Sequence, residues 1–165
     1  MMVGVLFATY TSALTQSPKT ASQAVQNVKT MKTVAKGTFE VKMTPLAAED
    51  NVGDATIGRL GMAKTFTGDL DATSKGQMLG SQSEAVKGSG GYVAMERVTG
   101  KLNGKSGSFT LQHIGTMQGG KFDLNVAVVP DSGTGELTGI AGTLKIIIEG
   151  GKHLYEFEYS LPVQK

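Results

Sequence analysis

The sequence predicts an all-β protein: a closed antiparallel β-barrel of eight strands connected as a meander. Apolar and polar residues alternate in segments of about ten residues, glycine-containing turns separate the segments, and no long segment has helical periodicity. A single apolar face with no second layer to cover it favours closure into a barrel. An open two-sheet sandwich is the alternative. The predicted strands are 36–44, 55–66, 70–80, 90–102, 105–118, 121–129, 142–149 and 152–161.

The composition agrees with one folded domain of this class. The chain has 165 residues, of which 39% are hydrophobic and 18% charged, so it is too apolar for a disordered polyelectrolyte. It contains no cysteine, which excludes disulfides, a thiol nucleophile and a cysteine-based zinc site. No apolar run approaches the roughly 18 residues that a membrane-spanning helix requires.

The small positive charge lies outside the predicted barrel. The net charge is +2, but residues 1–30 contain Lys19 and Lys29 and no acidic residue. Residues 31–165 therefore hold 14 basic and 14 acidic side chains and are neutral. A neutral body with few aromatic residues predicts neither a nucleic-acid partner nor a membrane partner.

The N-terminal residues differ in composition from the rest. We predict that residues 1–32 are a disordered extension or a weak leader and that 33–165 form a single barrel domain. The apolar stretch 2–8 is short for a secretory signal and has no basic residue before it. Met31 could itself be a start residue.

Two-residue turns predict the pairing of three hairpins. Asn103-Gly104, Gly119-Gly120 and Gly150-Gly151 supply residues that tolerate the positive φ of type I′ or II′ turns, and turn length determines register. The predicted pairs are Val98 with Phe109, Glu96 with Leu111, Ala94 with His113, Met117 with Phe122, Gly115 with Leu124, His113 with Val126, Leu111 with Val128, Leu144 with Phe157, Ile146 with Tyr155 and Ile148 with His153.

A fourth turn, Thr67-Gly68-Asp69, is predicted to be a three-residue loop. This closure would pair Phe66 with Leu70, Lys64 with Ala72, Met62 with Ser74 and Leu60 with Gly76.

These registers assign several polar side chains to the apolar face. Glu96 and His113 become diagonal neighbours, close enough for the carboxylate to meet the imidazole, and Lys64 lies on the same face of another strand. A carboxylate beside an imidazole in a low-dielectric cavity could transfer protons, orient a ligand, or only stabilise the fold as an ion pair. The other inward polar residues are Tyr92, His153, Tyr155 and Tyr159.

Other motifs do not hold, and we predict no metal and no cofactor. The glycines between Gly133 and Gly142 resemble a phosphate loop but lack the following helix. Asp69, Asp71 and Thr73 begin like a calcium loop, but Gly80 stands where the bidentate glutamate should be. His113 and His153 alone make a poor metal site. No activated-nucleophile motif is present.

Five stretches carry a resemblance to a known family: 37–41, 64–69, 96–100, 107–113 and 129–137. In their order and spacing the chain resembles, from about Lys32 to Pro162, a bacterial family catalogued as a domain of unknown function (DUF3224-like). The family often has Trp where this chain has Met43-Thr44. The resemblance implies a closed eight-stranded barrel similar to that of plant allene oxide cyclase, a calycin-like architecture, and no established activity.

Because members of that family usually begin near the position of Met31, the resemblance also favours a cytoplasmic protein. Export through a weak N-terminal leader is the alternative.

We therefore predict a small soluble barrel that binds an apolar or amphipathic ligand in its interior. The ligand-binding residues would be Lys64, Tyr92, Glu96, His113 and Tyr155. One alternative is an isomerase or cyclase acting on a hydrophobic substrate, although a fold does not carry a function. Another is a structural module that forms homo-oligomers through its outer face, which includes Arg97, Thr110 and Gln112.

Overall fold

The strands form one sheet that closes on itself. The computed structural model describes residues 31–47 and 57–162. In the sheet, the strand order is β4-β3-β2-β1-β9-β8-β6-β5, β5 pairs with β4 to close the barrel, and β7 adds to β5. The predicted barrel is confirmed, and the sandwich alternative is wrong. The strands are β1 (Met31–Leu46), β2 (Gly58–Gly68), β3 (Leu70–Gln82), β4 (Gly90–Leu102), β5 (Lys105–Gln118), β6 (Lys121–Val128), β7 (Thr134–Gly135), β8 (Ala141–Glu149) and β9 (Lys152–Leu161).

The first strand starts earlier than predicted. Met31 and Lys32, which the sequence analysis placed in the extension, pair with Leu161 and Ser160 of β9. The partner strand supplies the reason, because β9 is long enough to hydrogen-bond with these residues. The predicted extension otherwise falls on residues 1–30, outside the described residues. Within 31–47 and 57–162, no helix has the length and apolarity to cross a membrane.

The two-residue turns set the predicted registers. Asn103 has φ 47° and Gly104 φ 79°, and both residues of the Gly119-Gly120 and Gly150-Gly151 turns also have positive φ. Two adjacent positive φ values are the geometry of a type I′ turn. All ten strand pairs predicted for these three hairpins occur in the structure.

The register predicted at the Thr67-Gly68-Asp69 corner is wrong by two residues. Phe66 pairs with Ala72, not Leu70; the other pairs are Lys64 with Ser74, Met62 with Gly76 and Leu60 with Met78. The corner is wider because Gly68 still pairs with Gly37 of β1, while Leu70 already pairs with Leu102 of β4. A shift of two preserves the side-chain alternation, so Lys64 still faces inward.

The inner face of the barrel divides into two halves. In the sealed half, which lies toward Asp69, Asn103 and the connection 129–140, the inward side chains are buried: Ala35, Phe66, Leu70, Ala72, Val98, Leu102, Phe109, Leu111, Val128, Leu144, Tyr155, Phe157 and Tyr159. In the open half, toward the turns at 119–120 and 150–151, they are only half-buried or exposed: Val41, Met43, Leu60, Met78, Tyr92, Met117, Phe122, Leu124, Ile146, Ile148 and His153.

The connection between β6 and β8 closes the sealed half. Its side chains Leu137 and Ile140 are 1% and 2% exposed and belong to the core cluster. Thr134 and Gly135, which form β7, pair with Ser108 and Gly107 of β5. The sequence predicts only a glycine-rich connection here. The structure shows in addition the short strand β7 and two buried side chains that close this end of the barrel.

One seam of the barrel is weakly paired. β6 and β8 share the single bridge Ala127–Thr143, whereas β8 and β9 pair along their whole length from Ala141 to Glu149. Toward the open half, the facing edges of β6 and β8 are therefore not paired with each other.

Candidate functional site

A buried carboxylate forms the centre of the candidate site. Glu96 on β4 is 0% exposed, and three side chains from three other strands hydrogen-bond to it. Lys64 Nζ donates to Oε2 over 2.7 Å, His113 Nε2 lies 2.9 Å from the same oxygen, and the Ser74 hydroxyl donates to Oε1. We call Lys64, Ser74, Glu96 and His113 the polar cluster.

The hairpin registers explain why these side chains meet. Ala94 pairs with His113 and Glu96 with Leu111, so His113 lies diagonally across from Glu96 on the inner face. Lys64 on β2 and Ser74 on β3 are paired directly with each other across the two strands. Gly76 stands opposite Glu96, where an added Cβ would come within 3.1 Å of the glutamate Cβ. Glycine at this position therefore leaves room for the close approach of β3 and β4.

Two aromatic rings complete the surroundings of the buried ammonium group. Lys64 Nζ lies 4.9 Å from the ring centroid of Phe39 and 5.7 Å from that of Phe66. Cation–π contacts of this kind are strongest where the cation is removed from water, as it is here. The charge of Lys64 is thus balanced by Glu96 on one side and by two ring faces on the others.

The donors around Glu96 determine its ionisation. Burial raises its pKa, but the hydrogen bond from His113, the charge of Lys64 and the hydrogen bonds from Lys64 and Ser74 outweigh burial and lower the pKa to about 2. Glu96 is therefore ionised at neutral pH. With Lys64 it forms a buried ion pair of zero net charge.

The imidazole of His113 has one side engaged and one side available. A carboxylate oxygen only accepts hydrogen bonds, so the facing Nε2 carries a proton. In the described part of the chain, Nδ1 has no hydrogen-bond partner, and no fully enclosed side-chain nitrogen or oxygen is left unpaired. Nδ1 is therefore not completely enclosed, although His113 as a whole is only 2% exposed.

Tyr92 forms a wall of the open half on the same strand as Glu96. Its ring stacks on Phe122 with centroids 6.4 Å apart. The ring also covers Gly115, where an added Cβ would lie 2.3 Å from a ring carbon, so Gly115 is needed for this packing. Burial and the charge of Glu96 both raise the pKa of Tyr92.

Tyr155 does not join the polar cluster. Its hydroxyl accepts a hydrogen bond from the Leu70 backbone N–H at 2.9 Å and donates to the Thr67 carbonyl at 3.3 Å, both in the sealed half. Burial raises the pKa of this hydroxyl, and the Leu70 hydrogen bond opposes that rise. Of the predicted ligand-binding residues, the structure brings Lys64, Glu96 and His113 together, places Tyr92 beside them, and uses the Tyr155 hydroxyl to hold the 67–71 corner.

The remaining inward polar residues also lie apart from the cluster. His153 stacks on Phe39 with centroids 5.0 Å apart. The Tyr159 hydroxyl accepts a hydrogen bond from Asn103 Nδ2 at 2.9 Å.

A half-open cleft of about 740 Å³ lies elsewhere, on the wall of the barrel. Residues of β1 and β2 line it, together with the tip of the β8–β9 hairpin. The lining is Thr38, Phe39, Glu40, Val41, Thr65, Thr67, Gly151, Lys152 and His153. It includes no member of the polar cluster, although it does include Phe39, whose ring contacts Lys64. The cleft therefore reaches inward residues of β1 and β9 without reaching the polar cluster itself.

Sequence reasoning missed Ser74 and the two rings around Lys64. The alternation of β3 placed Ser74 on the apolar face, so the indication was present, but the wrong register set it opposite Met62. Phe66 is two residues from Lys64 on the inner face of β2, and Phe39 is the strand partner of Phe66 on β1. The pairing of β1 with β2 was not among the predicted registers. Among the described residues, no group of three or more histidine, aspartate or glutamate side chains could hold a metal ion.

Comparison with known proteins supports the resemblance seen in the sequence. A 1.84 Å crystal structure of a protein with unknown function from the DUF3224 family of Shewanella oneidensis MR-1 is 48% identical; the alignment covers 82% of this chain and 100% of that one, with a TM-score of 0.73. No curated protein matches the chain. The family described as "Protein of unknown function (DUF3224)" matches residues 35–159. The chain therefore belongs to the DUF3224 family.

Proposed function

We propose that the protein binds a small apolar or amphipathic molecule in the open half of the barrel. The change in exposure along one inner face carries this proposal. Phe109 in the sealed half is 1% exposed, whereas Phe122, on the same face of the next strand, is 53% exposed. Side chains of this size are usually covered in a folded protein, so a ligand that covers them gains hydrophobic free energy.

The lining of the open half suits such a ligand. Met78 and Met117 are half-buried there, and methionine side chains adapt to irregular apolar shapes. The polar cluster lies at the floor, where His113 would orient the polar end of the ligand and Glu96, paired with Lys64, would hold the imidazole in place. Tyr92 would contribute a wall, and Tyr155 would act only by holding the sealed half in place.

Fluorescence of 1,6-diphenylhexatriene, an apolar dye that emits when it leaves water, tests the proposal. We expect a saturable increase with the wild-type protein. Leu124→Trp would fill the open half and weaken dye binding at least tenfold. Asn125→Trp is the matched control, since it puts the same ring on the outer face of the same strand and should leave binding unchanged.

Failure has a clear form in this experiment. The proposal is wrong if the dye does not bind, or if both tryptophan variants weaken binding equally, because the dye would then occupy an outer surface. Native mass spectrometry of the freshly purified protein complements the dye by searching for co-purified small molecules.

A second candidate function is proton transfer, as in an isomerase or cyclase acting on a hydrophobic substrate. The hydrogen bond between Glu96 and His113, which holds the imidazole with Nδ1 available as a base, favours it. The similarity to allene oxide cyclase, which only the sequence resemblance implies, would support this candidate alone. A Glu96→Gln variant that kept full turnover of a discovered substrate would exclude a catalytic part for the carboxylate.

A third candidate is a homo-oligomeric module. Leu79, Val93, Met95 and Ile114 lie together on the outer face of β3, β4 and β5 and are 46–50% exposed. Two of the outer residues predicted for such a surface are used within the chain, because Arg97 donates to Thr110 and also to Ser108. Light scattering decides this candidate, since a strictly monomeric protein would exclude it.

A further inference from the structure

One nitrogen of the polar cluster has no partner, and its chemistry restricts the ligand. The carboxylate of Glu96 accepts three hydrogen bonds, and Lys64 is occupied by Glu96 and by the rings of Phe39 and Phe66. His113 Nδ1 alone is without a hydrogen-bond partner in the described residues. An imidazole that carries its proton on Nε2 alone has a lone pair on Nδ1 and accepts a hydrogen bond there.

The strand partners of His113 give a ligand no competing polar group. The residues paired with His113 are Ala94 on β4 and Val126 on β6, and both are buried and apolar. The half-buried Leu124 lies next on the inner face toward the open half. The other polar group on this side is the hydroxyl of Tyr92, whose ring covers Gly115 two residues along β5. A polar atom of the ligand at His113 would be matched by Nδ1, whereas an unmatched polar atom is costly to bury.

Charge excludes the other polar ends. A carboxylate on the ligand would be repelled by Nδ1, because both groups present lone pairs. It would also lack a cation to pair with, because Lys64 is already paired with Glu96. An ammonium group would have to share Glu96 with the three donors that this carboxylate already accepts, from Lys64, Ser74 and His113. A cluster with zero net charge also offers no compensation for a buried charge on the ligand.

We infer that the ligand is an uncharged apolar molecule with a hydroxyl group that donates a hydrogen bond to His113 Nδ1. Its apolar remainder extends past Leu124 and Tyr92 toward Met78 and Met117. This inference rests on the proposed function and adds the chemical class of the ligand. It separates alcohols and phenols from hydrocarbons, ethers, fatty-acid anions and amphipathic cations.

Displacement of 1,6-diphenylhexatriene by three matched probes tests the inference at neutral pH. 4-Octylphenol has the hydroxyl group, 1-methoxy-4-octylbenzene has the same shape without the donor, and 4-octylbenzoate has a negative charge. We expect the phenol to displace the dye at a concentration about five- to tenfold lower than the ether, the size of one net hydrogen bond. The benzoate should be the weakest of the three.

Variants locate the effect. In His113→Leu the advantage of the phenol over the ether should disappear, while Thr116→Val, on the outer face of the same strand, should keep it. If His113→Leu does not fold, the comparison of the three probes on the wild-type protein still decides the inference.

Each result has one meaning. Equal displacement by phenol and ether, or strongest displacement by the benzoate, overturns the hydroxyl inference and leaves the proposed function standing. An advantage of the phenol that survives in a folded His113→Leu also overturns it. Absence of dye binding to the wild-type protein overturns the proposed function itself.

Discussion

The two halves of the barrel are built from the same strands with the same alternation, but their inward side chains are buried in one half and exposed in the other. In the sealed half, the inward side chains meet Leu137 and Ile140 from the 129–140 connection and are almost completely covered. In the open half, no described segment covers Phe122 and Ile148, which are 53% and 68% exposed. Alternation thus determines which side chains face into a barrel. The segment that closes each end determines whether those side chains are buried or stay exposed.

The polar cluster lies where the two halves meet. Its side chains are buried like the sealed half, yet His113 Nδ1 is not completely enclosed. Four experiments can break or sharpen the contrast between the halves.

The largest effect is expected from the same substitution made in each half. Phe109→Ala should lower the free energy of unfolding by about 4 kcal/mol, because it removes a fully buried ring and leaves a cavity. Phe122→Ala should cost less than about 1 kcal/mol, because its ring is already half in water. Urea denaturation of both variants measures the difference. Equal losses would mean that Phe122 is covered in solution.

Removal of the buried cation should come next. Lys64→Met leaves the Glu96 carboxylate buried with only His113 and Ser74 as donors, so we expect a loss of about 3 kcal/mol. Lys75→Met, an exposed change on β3, should cost less than about 0.5 kcal/mol. The double variant Lys64→Met/Glu96→Gln should recover more than half of the loss. If Lys64→Met costs no more than the surface control, the ion pair between Lys64 and Glu96 does not stabilise the fold.

Acid should reduce the stability that the polar cluster contributes, within a defined range of pH. The pKa of Glu96 is about 2 in the folded protein against an ordinary value of 4.5, so its contribution is fully present above about pH 4.5 and is lost as the pH falls toward 2. A difference of about 2.5 pH units corresponds to about 3 kcal/mol. Besides Glu96 itself, the titratable groups involved are Lys64, His113 and Tyr92.

Unfolding free energies between pH 7 and pH 2.5 measure this contribution. We expect the wild-type protein to lose stability more steeply below pH 4.5 than Glu96→Gln does. Glu156→Gln, at an exposed carboxylate paired with Lys36, is the control and should follow the wild-type slope closely. Parallel curves for the wild type and Glu96→Gln would contradict the assignment.

The smallest expected effect concerns the corner of the sealed half. Tyr155→Phe removes the acceptor of the buried Leu70 N–H and should cost about 1 kcal/mol. Tyr159→Phe on the same strand loses a contact with the exposed Asn103 side chain, which water can replace, so its cost should be smaller. Thermal unfolding of the two variants compares them. A larger loss for Tyr159→Phe would contradict the role given to Tyr155.

The sequence predicted the fold and most of the cluster because short turns constrain geometry. At Asn103-Gly104, two adjacent positive φ values are enough to place Glu96 diagonally across from His113. At the 67–71 corner, by contrast, Gly68 and Leu70 pair with β1 and β4, and these long-range partners leave no local trace in the sequence. The resulting error of two residues preserved the inward direction of Lys64 but concealed Ser74.

The difference between the halves could not be predicted for a related reason. Leu137 and Ile140 lie among glycines and turn residues without any strand or helix periodicity, so nothing local indicates that they plug a barrel. The hydroxyl of Tyr155 was similarly assigned to the interior by alternation alone. Its actual partners are backbone groups of a corner whose register had been predicted incorrectly.

The single bridge between β6 and β8 has a consequence for motion. Opening that seam breaks the Ala127–Thr143 bridge, whereas separating β8 from β9 would disrupt nine residue pairs. Backbone amides of 144–148 that point toward β6 should therefore exchange with deuterium much faster than those that bond to β9. Opening the seam would give the ligand proposed above a second route into the barrel, through the wall between β6 and β8.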